Sequence, residues 1–216
     1  MKSLVTTILL LFSASALGQA LVVNIFEPLP GGAQKTAAYA QEAKAIHEAM
    51  GASVTIGTTV DGKMHYGVTL ESWSDYGRWA QSLARNPEWQ AFQSKINANP
   101  SAVQVDNHIL YTAAAGENVG AGGVYQVYIW EANNGRVGDL MQGGIGAKPI
   151  HERAGAKVTV LRDEQNRMHY VMMFDSWEDW GEFQDTPNPE FNAYMQERTA
   201  EGAGRLIEVY TATVQP

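Results

Sequence analysis

Along residues 64–71, MHYGVTLE, large apolar side chains alternate with smaller or polar ones. As a strand, this puts Met64, Tyr66, Val68 and Leu70 on one face and His65, Gly67, Thr69 and Glu71 on the other. The alternation returns at 168–175, MHYVMMFD, with Met168, Tyr170, Met172 and Phe174 opposite His169, Val171, Met173 and Asp175. Runs of β-branched and aromatic residues predict earlier strands at Val22–Phe26 and Tyr125–Trp130. Tyr39, Ala43, Ile46 and Met50 form one helical stripe, and Gly51 and Gly155 suit the C-terminal caps of this helix and its counterpart. Ser53–Gly57 and Lys63–Leu70 predict a hairpin turning at Asp61-Gly62. Ser72-x-x-Asp75 and Ser176-x-x-Asp179 open second helices as capping boxes. Asn-Pro-Glu at Asn86 and Asn188 restarts a helix, with a cap, a proline at the first position and a dipole-matched acid. Final strands fall at 105–112 and 205–213.

These coincidences belong to a repeat. A shift of 104 places Ile46–Gly77 over Ile150–Gly181 with 14 of 32 positions identical. VNIFE meets VYIWE in the same register, NPEWQAF meets NPEFNAY after a two-residue deletion, and LYTA meets VYTA. A unit of about 90 residues is far longer than the ~20–50 of a solenoid repeat. The expected organisation is a leader at 1–20, one domain at 21–113, a Gly/Ala-rich linker at 114–123 and a second domain at 124–214. Each domain reads βαββα(α)β, an α+β ferredoxin-like unit whose helices cover only one face of an antiparallel sheet. Two copies in one chain cover each other's bare faces, which predicts an intramolecular α/β barrel with helices outside.

Charge and cysteine count narrow the setting. Lys2, the apolar run Leu4–Phe12 and the small residues SASALGQA have the form of a secretory signal peptide, with cleavage at Ala16-x-Gly18 or Gly18-x-Ala20. The expectation is an exported protein, periplasmic or secreted, with no stable membrane insertion once the leader is removed. Without Lys2 the formal charge is −9, and an acidic surface repels phosphate backbones, so nucleic acid is not an expected partner. No cysteine is present, so there are no disulfides, thiolate nucleophiles or iron–sulfur ligands.

NPEWQAF, following ESWSDYGRWAQSLA, resembles the NIPSNAP-type branch of the dimeric α/β barrel superfamily, with the tandem chain similar to a fused dimer. The resemblance implies fold. The superfamily spans cofactor-independent monooxygenases, isomerases, haem proteins and proteins without known activity, so function has to be argued at the site. In haem-degrading members the axial histidine comes from the second helix; residues 74–85, 88–97 and 178–198 contain none, so no cofactor is expected.

Five histidines are present, four of them in repeated positions. His65 and His169 are expected to face the barrel interior as candidate catalytic bases or as hydrogen-bonded core residues. Asn24, Phe26, Tyr128 and Trp130 would share that interior if Val23, Ile25, Val127 and Ile129 face the helices. His47 and His151 fall in a last helical turn, where a protonated imidazole complements the dipole. No His-x-His or His-x-x-x-His spacing occurs, so no metal site is expected. Tryptophans and Phe183 at helical spacing read as core. The copies differ most where TAAYAQEAKAIHEAMG is answered by DLMQGGIGAKPIHERAG. Three glycines and Pro149 in place of helix formers predict an interrupted helix and an apolar crevice over the second sheet, lined by Met141, Ile145, Tyr125, Met172 and Trp180. The residues favour a module binding a small apolar or aromatic molecule, with a cofactor-independent monooxygenase or isomerase as the alternative and a structural or interaction role as the third reading.

Overall fold

The protein is described by a computed structural model covering residues 19–216, without the side chains of 199–201. The predicted leader therefore lies outside the described residues, apart from its last two positions. The first half comprises β1 (Ala20–Pro28), α1 (Ala33–Ala49), β2 (Ser53–Thr59), β3 (Met64–Leu70), α2 (Trp73–Leu83), α3 (Pro87–Ala98) and β4 (Ala102–Ala114). The second half repeats the order with β5 (Val124–Ala132), α4 (Val137–Arg153), β6 (Lys157–Asp163), β7 (Met168–Phe174), α5 (Trp177–Asp185), α6 (Pro189–Glu201) and β8 (Gly204–Val214).

Eight antiparallel strands close into one barrel in the order β1-β3-β2-β8-β5-β7-β6-β4. Short ladders join the halves: Gly57–Thr59 of β2 meets Ala212–Val214 of β8, and β4 meets β6 from Leu110↔Asp163 onward. The helices lie on the outer surface of the strands, and each half has its own core there. Val54, Ile56, Met64, Tyr66 and Val68 pack with Trp79, Leu83 and Phe92, while Val158, Val160, Met168, Tyr170, Met172 and Phe174 do the same below α4.

Local signals act as the sequence predicts. The Ser72 and Ser176 hydroxyls accept the Asp75 and Asp179 amides, and the Asn86 and Asn188 side chains accept those of Trp89 and Phe191. Gly51 and Gly155 close α1 and α4 at φ +89° and +100°. The linker is tied down rather than loose: Gly122 donates to the Val214 carbonyl, and Gly116 to the Thr159 hydroxyl. A Cβ on Gly116 would sit 2.1 Å from the Val158 carbonyl oxygen, so the residue is required by close backbone approach.

One expectation fails. α4 runs unbroken for 17 residues through Gly143, Gly144, Gly146 and Pro149. Leu140, Met141, Gly144, Ala147, Ile150 and His151 form its buried face at helical spacing, and this packing against the sheet overrides weak intrinsic propensity.

Candidate functional site

Strand register decides which side chains enter the barrel. His65 pairs with Ile25 and His169 with Ile129, so Val23, Ile25, Val127 and Ile129 share the interior with both histidines. Asn24, Phe26, Tyr128 and Trp130 consequently stand on the helix side, opposite Tyr66, Met64, Tyr170 and Met168. This corrects the conditional assignment of those four to the interior. The inner faces of β1 and β5 are set by this pairing register with β3 and β7.

Within the barrel, His65 is buried with its ring 4.6 Å from that of Tyr210 and 6.3 Å from that of Tyr125. Burial, seconded by His108, lowers its pKa to about 4, so it is neutral near pH 7. Burial also pushes the Tyr125 and Tyr210 phenols well above their ordinary range. His169 belongs to a polar cluster that sequence reasoning did not find. Its Nε2 lies 3.0 Å from Asp163 Oδ2, and its ring is 4.9 Å from that of His108 on β4. Arg167 Nε donates to the same Asp163 oxygen at 2.5 Å, and Arg167 Nη2 lies 3.3 Å from His108 Nδ1. Burial alone would raise the Asp163 pKa, but hydrogen bonds from His169 and from the Arg167 backbone and side chain outweigh it and hold the group at about 2.

His108, Asp163 and His169 lie close enough to share a cation. However, Asp163 Oδ1 already accepts the Gln165 and Arg167 amides, and Oδ2 accepts Arg167 and His169. A divalent ion would have to displace a guanidinium, so this donor set fits an internal ion pair better than a metal centre.

The space for a ligand lies elsewhere. A cleft of about 960 Å³ opens between the outer face of β5 and β7 and the helices α4 and α6. It falls within the ~300–1,000 Å³ of ordinary small-molecule pockets. Tyr128, Trp130, Met168 and Met172 supply sheet residues, Gly143, Gly144 and Ala147 the α4 side, and Phe183, Phe191 and Tyr194 the rest of the aromatic lining. Of the crevice residues expected from sequence, Met172 lines the cleft. Met141 is buried in the adjoining core, while Ile145 is half-buried and outside the lining. Tyr125 instead enters the barrel, where its phenol covers Gly57. Trp180 packs on the second core and donates to Gln126 Oε1. Trp177, expected in a core, is 41% exposed and donates to the Thr213 hydroxyl.

The polar feature of the cleft is a pair that the sequence analysis treated separately. His151 Nδ1 lies 2.7 Å from the Tyr170 hydroxyl, and both residues line the cleft. The imidazole lies tilted against Phe191 with ring centres 4.2 Å apart and meets Phe183 edge-on at 5.8 Å. Burial lowers the His151 pKa to about 4 and pushes that of Tyr170 strongly upward. The imidazole is therefore neutral, which corrects its reading as a charged complement to the helix dipole. His47 and Tyr66 repeat the pair at 3.0 Å in the first half, where Trp79 and Trp89 surround the imidazole. The signal was available: a histidine on the helix and a tyrosine 19 residues later recur in both halves. What periodicity could not show is that the helix brings the two together.

The fold is that of the dimeric α+β barrels. It is similar to a monooxygenase-like protein from Lactobacillus acidophilus at TM-score 0.66 and 10% identity, over 91% of this chain and 94% of that one. A monooxygenase-like protein from Fusobacterium nucleatum gives TM-score 0.63 at 11% identity, over 92% of each chain. An anthrone oxidase-like protein gives 0.62 at 15%, over 94% of this chain and 93% of that one. These likenesses are of fold. No protein-family model and no curated protein matches the sequence.

Proposed function

We propose that the second-half cleft binds a planar, oxygen-bearing aromatic molecule and oxidises it with dioxygen, without a bound cofactor. The observation that carries this is the His151–Tyr170 pair facing an aromatic-lined cleft of about 960 Å³. The fold likeness to monooxygenase-like and anthrone oxidase-like proteins supports it by analogy. In the balanced reaction, a ring CH₂ and O₂ give a ring C=O and water: the substrate's enolate supplies the electrons and both oxygen atoms are accounted for.

Magnitudes assign the pair its part. A base with pKa about 4 facing a phenol-like acid near 10 would work against roughly 8 kcal/mol, too steep for simple proton abstraction. With Tyr170 donating to Nδ1, the ring proton sits on Nε2 and is offered to the substrate oxygen. Hydrogen-bond donation to a developing oxyanion is typically worth about 3–4 kcal/mol. The same weak basicity favours a second reading, a binding protein without turnover. Under either reading His65 and His169, sealed among rings and ion pairs, hold the barrel together.

The repeat and the matched order of the halves support descent from a duplicated barrel subunit, with NPEWQAF supporting the NIPSNAP-type branch. The leader-like opening supports export. The test is oxygen uptake with anthrone in the presence of a metal chelator. Saturable consumption of one O₂ per anthrone, with the quinone formed and no peroxide, is expected. Uptake no faster than in buffer, with the compound nevertheless bound, selects the binding reading.

A further inference from the structure

The two halves keep the same His–Tyr pair, yet the described cleft is lined by second-half residues alone. The repeat locates the difference. Tyr39 on α1 corresponds to Gly143 on α4 at the 104-residue offset. The Tyr39 ring meets Phe92 edge-on at 6.1 Å, packs on the first core, and donates its hydroxyl to the Asn99 carbonyl at 3.3 Å. At Gly143, which lines the cleft, an added Cβ would meet nothing within 4 Å, so the position that carries the Tyr39 ring in the first half opens on the cleft in the second. Tyr194, the counterpart of Phe92, turns its hydroxyl onto the Gly143 carbonyl at 2.7 Å and takes up the space beside Gly146. Two further exchanges, Trp79 for Phe183 and Trp89 for Phe191, also thin the second half.

The first half retains traces of a polar site. His47 Nε2 and Trp79 Nε1 are buried without a hydrogen-bond partner, in rings 5.0 Å apart. Unpaired buried polar atoms are costly, and a purely structural core gains nothing from them. In the second half the Trp79 counterpart is a phenylalanine and that burden is gone.

We infer that the Tyr39/Gly143 pair sets the binding stoichiometry: the first half is the same ligand site plugged by the Tyr39 ring, and the chain takes one planar aromatic ligand, in the second half. This rests on the cleft being the ligand site proposed above, though not on turnover there. The full chain is titrated with 1,8-dihydroxyanthraquinone, following fluorescence and heat, with thermal melting as the folding control. Wild type is expected to bind one equivalent. Gly143→Tyr, which restores the plug, should weaken binding at least a hundredfold with no loss of melting temperature. Tyr39→Ala should add a second equivalent. A folded Gly143→Tyr variant binding within threefold of wild type overturns the inference, as does a folded Tyr39→Ala variant that stays at one equivalent. Wild type that takes up no probe overturns the cleft as ligand site, and this inference with it. One-to-one binding without oxygen uptake defeats only the oxidation.

Discussion

The Tyr170 hydroxyl and His151 Nδ1 face each other at 2.7 Å from β7 and α4, two elements that the chain brings together only by folding α4 across the sheet. Because burial keeps the phenol protonated and the imidazole neutral, the pair is a polarised hydrogen-bond unit rather than an ion pair. Removing its terminal donor with His151→Ala should lower kcat for anthrone about a hundredfold with little change in KM, as for loss of an oxyanion donor. Tyr170→Phe frees the tautomer without emptying the site and should cost less, about tenfold. Steady-state kinetics on both variants check the order; equal losses would remove the tautomer-fixing role.

Acid should destabilise the protein in a defined window. His47, His65 and His151 have folded pKa values lowered to about 4 by burial, against 6.5 for the free side chain. Between those values the unfolded chain binds protons that the folded chain refuses. Their contribution to stability is thus complete above about pH 6.5 and lost as pH falls toward 4. Each can cost up to about 3 kcal/mol. Asp163, held at about 2, extends the loss below pH 4. Urea midpoints measured from pH 7.5 to 4 should fall steeply, and His65→Gln should flatten the curve; an unchanged midpoint across this range would contradict the buried neutral histidines.

Asp163→Asn should destabilise by about 3–5 kcal/mol, because it strands the Arg167 guanidinium in a largely buried place with one acceptor fewer. The first half shows a milder solution at the same positions, Thr59 and Lys63, with the Thr59 hydroxyl donating to the Lys63 carbonyl. The double variant Asp163→Thr/Arg167→Lys should recover part of the loss. Equilibrium urea unfolding of the three proteins, with the double variant more stable than Asp163→Asn alone, is the expected outcome.

Gly57→Ala should cost about 1–3 kcal/mol by overpacking, since its Cβ would lie 2.0 Å from the Tyr125 hydroxyl oxygen. Tyr125→Leu should relieve the clash, so the two substitutions together should be less harmful than their sum. A double-mutant cycle on melting temperature measures the coupling; simple additivity would mean that the phenol moves aside freely.

Much of the fold was legible because it is written in short-range chemistry. The capping residues at Ser72, Asn86, Ser176 and Asn188, the glycine caps at Gly51 and Gly155, and the alternation through MHY all depend on neighbours within one turn or pleat. Where the reading failed, a longer-range term had won. α4 stays helical despite Gly143, Gly144, Gly146 and Pro149 because its buried face is paid in packing, and the inner faces of β1 and β5 follow the pairing register rather than residue size.

By itself, the sequence determined the repeat, the element order and the face on which His65 and His169 stand, since periodicity and turn chemistry are local properties of the chain. The tertiary structure alone decided that Asp163, Arg167, His169 and the distant His108 would share one buried cluster, and that His151 would meet Tyr170 beside an open cleft. Those outcomes depend on which elements close against one another in three dimensions. A glycine at 143 is only a poor helix former until the fold shows the space that its missing side chain leaves.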